Sequence, residues 1–266
     1  MTPPGLSYGV DYQGAHGSAR WEGRTVRELE VFRAFVRDTV NSRVRDTEAE
    51  EPFEGELRAL ATTGMATTFL EKLLRAKAAP TGWEIGEALA ECVLAEDSAL
   101  EVCWPWNTVR DRRTPRASLP GADLVGFCRT GETALLLFGE VKTSSDVSTP
   151  PNVMYGDGGL TWQLEEAATR LDLQHTLLRW LRSRCSSPQH LDLFRSATAR
   201  YLASQGKELL LMGVLLRDTA PSEMDVKSRA ATLAAKLTAP TRIEIQAWYL
   251  PAPISQWPAL LSGGTP

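Results

Sequence analysis

Apolar and polar positions alternate along this chain with two periods. Over Val26–Val40, Leu29, Val31, Phe32, Phe35 and Val36 recur at helical spacing and predict an amphipathic helix. The helical period returns over 60–76 and again over 82–95, where Ile85, Ala88, Leu89, Cys92 and Val93 form one face. Thr81-Gly82-Trp83-Glu84 reads as the capping box that starts this third helix. Strand-like apolar runs follow at 99–106, 121–128 and 134–142. A polar loop spans Ser144–Gly159, and helices are expected over about 162–183 and 189–204. Lys207–Arg217 is nearly unbroken in apolar residues, as in a strand covered on both faces. A helix at 222–237 and a strand at 241–249 complete the pattern, with a right-handed crossover expected between the last two strands. Residues 1–24 read as irregular. Six of the eleven residues in Asp46–Glu56 are acidic, which reads as a solvated linker or a surface for a basic partner. The expected class is α/β, a mixed sheet flanked by helices. Residues 1–60 form a helical or irregular N-terminal part, 61–250 the core and 251–266 a tail.

The most informative stretch is Leu119–Thr143, two apolar strands joined at a tight turn around Gly131. A hairpin folded there lays Asp123 beside Gly139 and Glu140. Side chains alternate along a strand, so Glu140 and Lys142 leave from one face and Val141 from the other. Two carboxylates and an ammonium thus meet at one end of a hairpin otherwise built of Val, Leu and Phe. Burying such charges is costly, so the cluster is a candidate site. Two carboxylates can hold a hard divalent cation, usually Mg2+. Such a cation polarises a phosphate and lowers the pKa of a bound water. A nearby lysine can orient that water or neutralise charge on the phosphate. The competing reading is an edge hairpin whose strand ends carry ordinary solvated charges.

Pro120-x-x-Asp123 followed by Glu140-x-Lys142 resembles the PD-(D/E)XK nuclease superfamily. The resemblance implies a restriction-endonuclease-like fold, Mg2+ with Mn2+ as a substitute, and cleavage of DNA or RNA. It also implies a further acidic ligand from the helix before the sheet, for which Glu87 is the best match. The plain alternative is that Glu84, Glu87 and Glu91 share a solvated helix face. Some members carry a glutamine on the helix after the long loop, which makes Gln163 a candidate. Within the superfamily, the GEALAE helix, the GADLVGF strand and the FGEVKTS strand resemble, in that order, the HamA nuclease subunit family of Hachiman antiphage systems. That likeness covers about the middle third of the chain and implies a DNA-cutting effector working beside a helicase partner. Two alternatives stand beside it. One is a non-catalytic nuclease-fold module that docks on a motor or sensor protein. The other is a restriction or transposon-end nuclease, although the first 60 residues do not read as a DNA-reading domain.

Composition changes this picture little. The 266 residues are 43% hydrophobic and 23% charged, ordinary for a globular protein. A net charge of -4 gives no global attraction to nucleic acid. Arg110, Arg112, Arg113 and Arg116 offer a local patch suited to phosphate. The sequence shows no secretory h-region and no run long enough to cross a bilayer. Its four cysteines lack a CxxC pair, and Cys92, Cys103 and Cys128 read as buried thiols of a cytoplasmic protein. His16, His175 and His190 lie too far apart for a zinc motif. GxSxG and P-loop motifs are absent, so an ATPase motor, if the system has one, is expected on another chain. Trp104 and Trp106 alternate on one expected strand face and read as core.

Overall fold

A computed structural model describes residues 5–76, 79–111 and 121–262. In chain order the elements are β1 (Gly9–His16), β2 (Ala19–Thr25), α1 (Leu29–Phe35), a π-helical turn (Val36–Val40), α2 (Asn41–Arg45), α3 (Thr47–Leu60), α4 (Gly64–Arg75), α5 (Gly82–Ala95) and α6 (Thr108–Asp111). They continue with β3 (Leu124–Thr130), β4 (Thr133–Ser144), α7 (Leu160–Thr169), α8 (Leu171–Arg184), α9 (Pro188–Ala203), β5 (Leu209–Arg217), α10 (Lys227–Lys236), β6 (Arg242–Tyr249) and α11 (Trp257–Leu261). The strands make one six-stranded mixed sheet in the order β1-β2-β6-β5-β4-β3. The two outer pairs are antiparallel, and β2, β6, β5 and β4 run parallel.

Strand alternation sorts the core into two layers. Leu135, Leu137 and Val141 of β4 face a layer that includes Phe32, Ile85, Leu89 and Trp257. Leu136 and Phe138 face the opposite layer, with Leu160, Leu164, Leu177, Ala197 and Leu233. The sheet is therefore sandwiched: α1, α5 and α11 cover one face, and α7–α10 cover the other. All nine residues of β5 are buried, which explains its unbroken apolar sequence.

Several expectations are corrected. Residues 9–25 are a hairpin that extends the sheet, because Trp21 and Ala19 find burial against β6 and α10. The acidic run 46–56 is helical rather than a linker; Asp46 takes a left-handed conformation (φ 48°) and α3 starts directly after it. The segment 99–106 forms only a bridge, Cys103 to Phe127, instead of a strand. The expected helix 162–183 is two helices that meet at Arg170, which is extended at φ -88°, ψ 106°. Of the expected tail 251–266, the described part through residue 262 packs on the core, where Trp257, Leu260 and Leu261 are buried. Cys103 is only half-buried, while Cys92, Cys128 and Cys185 are buried; all four are free thiols. Among the described residues no helix is long and apolar enough to cross a membrane.

Candidate active site

The β3–β4 hairpin positions the charged cluster. Gly131 supplies the turn with φ +62°, a conformation costly for other residues. Thr130 pairs with Thr133 and Leu124 with Gly139, so the register places Asp123 opposite Glu140. Val125 and Phe127 of β3 share a core layer with Leu136 and Phe138 of β4. By alternation Asp123, Glu140 and Lys142 leave on that same face. The sequence-derived juxtaposition therefore holds, shifted by one residue in register.

Two hydrogen bonds organise the group. The Val141 N–H donates to Asp123 Oδ2 at 3.0 Å and fixes that carboxylate at the strand end. Lys142 Nζ donates to Glu140 Oε1 at 2.7 Å. Glu140 is 3% exposed. Burial, then the charge of Asp123, push its carboxyl up to about 8, and Lys142 only partly offsets them. Glu140 is thus held toward its protonated form opposite a second carboxyl, a spot where a cation would serve both.

That donor set suits a hard cation: two carboxylate groups and a cationic neighbour, with water to fill the remaining positions, as Mg2+ prefers. Among the described residues, however, no group of three or more His, Cys, Asp or Glu side chains is placed to hold a metal. Glu87 accordingly does not join the pair. It lies on α5, whose Ile85, Ala88 and Leu89 pack on the opposite face of the sheet. Gly86 sets how closely that helix approaches, since a Cβ there would come within 2.7 Å of Thr143 Cγ2. The neighbouring glutamates have other duties. Glu84 accepts from the Thr81 N–H at 2.6 Å, and buried Glu91 pairs with Arg43.

Gln163 is placed differently. It lies on α7, whose Leu160 and Leu164 pack in the same layer as Leu136 and Phe138, so helix and carboxylate pair share a face. Its Oε1 is buried and meets no donor among the described residues. A buried acceptor without a partner is costly, and a donor on a ligand would relieve it. Pro120, Arg112, Arg113 and Arg116 lie outside the described residues. Arg110 stands 3.8 Å from the carboxylates of Asp46 and Asp111.

Sequence reasoning missed Arg217, the last residue of β5. It pairs across the sheet with Ser144, two residues beyond Lys142. Its guanidinium is 1% exposed. It donates to the carbonyls of Asp146 and Ser148, to Thr219 Oγ1 at 2.9 Å, and stands 3.3 Å from Asp225. The loop that leaves β4 is thereby tied down at its start. Met154 is fully buried, and its carbonyl accepts from Thr161 Oγ1 at 2.8 Å, which ties the loop at its end. The signal for Arg217 in the sequence is a charge closing a run of eight apolar or glycine residues. No family model matches this chain, and neither a curated protein nor a solved structure is significantly similar to it.

Proposed function

We propose that the chain is a metal-dependent nuclease that cleaves DNA phosphodiester bonds. The observation that carries this reading is the pair of facing carboxyls, Asp123 and Glu140, with Lys142 on Glu140, set into an apolar hairpin. Asp123 and Glu140 would hold Mg2+, or Mn2+ in its place. The bound cation supplies Lewis-acid polarisation of a phosphate and a more acidic coordinated water. Lys142 is 21% exposed at its side chain, so its ammonium reaches solvent and can face a phosphate once a cation replaces it beside Glu140. Gln163 offers a buried acceptor on the same face, able to orient a water by accepting its proton.

The resemblance of the two strand motifs to the HamA family extends the proposal. The chain would act in the cytoplasm as the effector of an antiphage system, restrained by a helicase partner. Its net charge of -4 fits a nuclease whose DNA is delivered by another protein. A second reading, a nuclease-fold module without catalysis, is favoured by the missing third ligand. Purified protein incubated with supercoiled plasmid in Mg2+, Mn2+ and EDTA separates the two. Cutting in Mg2+ or Mn2+ that EDTA stops supports the nuclease. No cutting by the chain, alone or co-purified with the product of the neighbouring gene, supports the scaffold.

A further inference from the structure

The helical hairpin α3–α4 carries a surface that the fold does not use. Helix α3 has no buried residue, and in α4 only Leu70 is buried. Helix stability in proteins comes mainly from packing an apolar face. Here α3 contains both Pro52 and Gly55, which lower its intrinsic stability further. Yet the apolar face exists. Met65, Phe69 and Leu73 follow at i, i+4 and i+8, so they form one stripe along α4, and they are 84%, 66% and 50% exposed. On α3, Phe53 and Leu60 add two more exposed apolar side chains. A cluster of this kind on one projecting element marks a contact surface.

Charge selects the occupant. Helix α3 bears five glutamates, Glu48, Glu50, Glu51, Glu54 and Glu56, against one cation, Arg58. Arg58 is already engaged, with Glu71 of α4 at 2.6 Å. Helix α4 adds Glu71, Lys72 and Arg75, so the hairpin carries six glutamates against three cations and the apolar stripe is bordered by net negative charge. A second copy would set glutamates against glutamates. Nucleic acid and anionic lipid are repelled in the same way. We infer that α4 docks, as a helix in a groove, on a partner protein whose apolar groove is rimmed by Lys and Arg, with Met65, Phe69 and Leu73 as anchors. This surface lies apart from Asp123 and Glu140, and the inference holds whether or not the chain cuts DNA.

The test places a photo-crosslinking benzoylphenylalanine at Phe69 of the full chain, expressed in its own cells with its neighbouring genes. A control carries the same group at Leu202, an exposed position on α9. The expected result is a crosslink to one other protein from position 69 and not from 202. The sequenced crosslinked peptide should be apolar with adjacent Lys or Arg. Reversing Glu48, Glu51 and Glu56 together to Lys should cut the crosslink yield ~tenfold, and Phe69→Glu should weaken binding of the purified partner by ~30-fold or more. Thermal melting checks that both variants stay folded. A crosslink to another copy of the chain, to lipid or to nucleic acid, an absence of any crosslink, or a yield indifferent to the charge reversal would overturn the inference.

Discussion

Two charged clusters sit on the same face and at the same end of the sheet, one strand apart, and they are built on opposite logic. Around Arg217 the charges balance. Asp225, fully buried, stands 3.3 Å from the guanidinium and accepts from Tyr249 Oη at 2.9 Å, and Tyr249 in turn meets Tyr12 Oη at 2.7 Å. Around Glu140 they do not: two carboxyls share one lysine, and burial drives Glu140 to hold its proton. The first cluster spends its hydrogen bonds on the chain itself and fixes the loop after Lys142. The second is balanced only while Glu140 keeps its proton, and once that proton leaves a negative excess remains for a cation to neutralise. A buried cluster whose like charges invite a cation marks a site, whereas one whose cation and carboxylate are paired within the chain marks a joint, even with Asp225 Oδ1 lacking a hydrogen bond among the described residues.

Breaking each cluster should give contrasting losses. Glu140→Gln or Lys142→Ala should reduce metal-dependent plasmid cleavage by ~1,000-fold or more, equivalent to at least ~4 kcal/mol of barrier, with the melting temperature held or raised in Glu140→Gln and lowered in Lys142→Ala, which strips the buried Glu140 of its cation. Wild-type cleavage by both variants would end the nuclease assignment. Arg217→Met should do the reverse to stability. It leaves Asp225 buried without its cation and should cost ~3–5 kcal/mol in denaturant unfolding. If Arg217→Met unfolds like wild type, the balanced cluster is not the joint described above.

Much of this contrast was legible in the sequence, but unevenly. The hairpin and its trio were readable because they are local: a turn glycine fixes the register, and a period of two fixes the face. Helix α5 was readable to its ends for the same reason, a cap at Thr81 and a clean apolar period. What failed depends on long-range contacts. The β1–β2 hairpin has few apolar residues, and its place is set by parallel pairing of β2 with β6, more than 200 residues away. Nothing in the sequence of α5 reveals which face of the sheet it covers, so Glu87 could be assigned to the helix but not kept from the site. The Arg217 network likewise joins residues from 12 to 249, and only the fold assembles it.

Acidity offers a finer probe of the unbalanced cluster. The folded pKa of Glu140, about 8, lies above its unfolded value near 4.5. The folded state therefore holds the extra proton, and its stabilising effect is full below about 4.5 and lost as pH rises through about 8. In EDTA, wild type should lose stability relative to Glu140→Gln across this window, on the order of 2 kcal/mol. Urea unfolding at half-unit pH steps measures the difference. A flat difference between pH 5 and 8 would remove the like-charge account. Added Mg2+ should flatten the wild-type curve, because the cation binds best where the proton has left.

The smallest effect isolates the partner carboxylate. Asp123→Asn keeps an oxygen that can accept from the Val141 N–H, now 3.0 Å from Asp123 Oδ2, so the strand end should stay fixed. It removes one of the two like charges, and so should stabilise the metal-free protein by ~1 kcal/mol, a few degrees in melting temperature for a chain of this size. Wild type should overtake it once Mg2+ or Mn2+ is added, since only the paired carboxylates bind the cation well and binding to the folded state alone raises stability by mass action. The two melting curves should thus cross with metal concentration. Differential scanning fluorimetry over a metal titration reads the crossing directly. Equal metal-induced shifts in wild type and Asp123→Asn would place the cation elsewhere in the molecule, and with it the chemistry that distinguishes the Glu140 cluster from the one around Arg217.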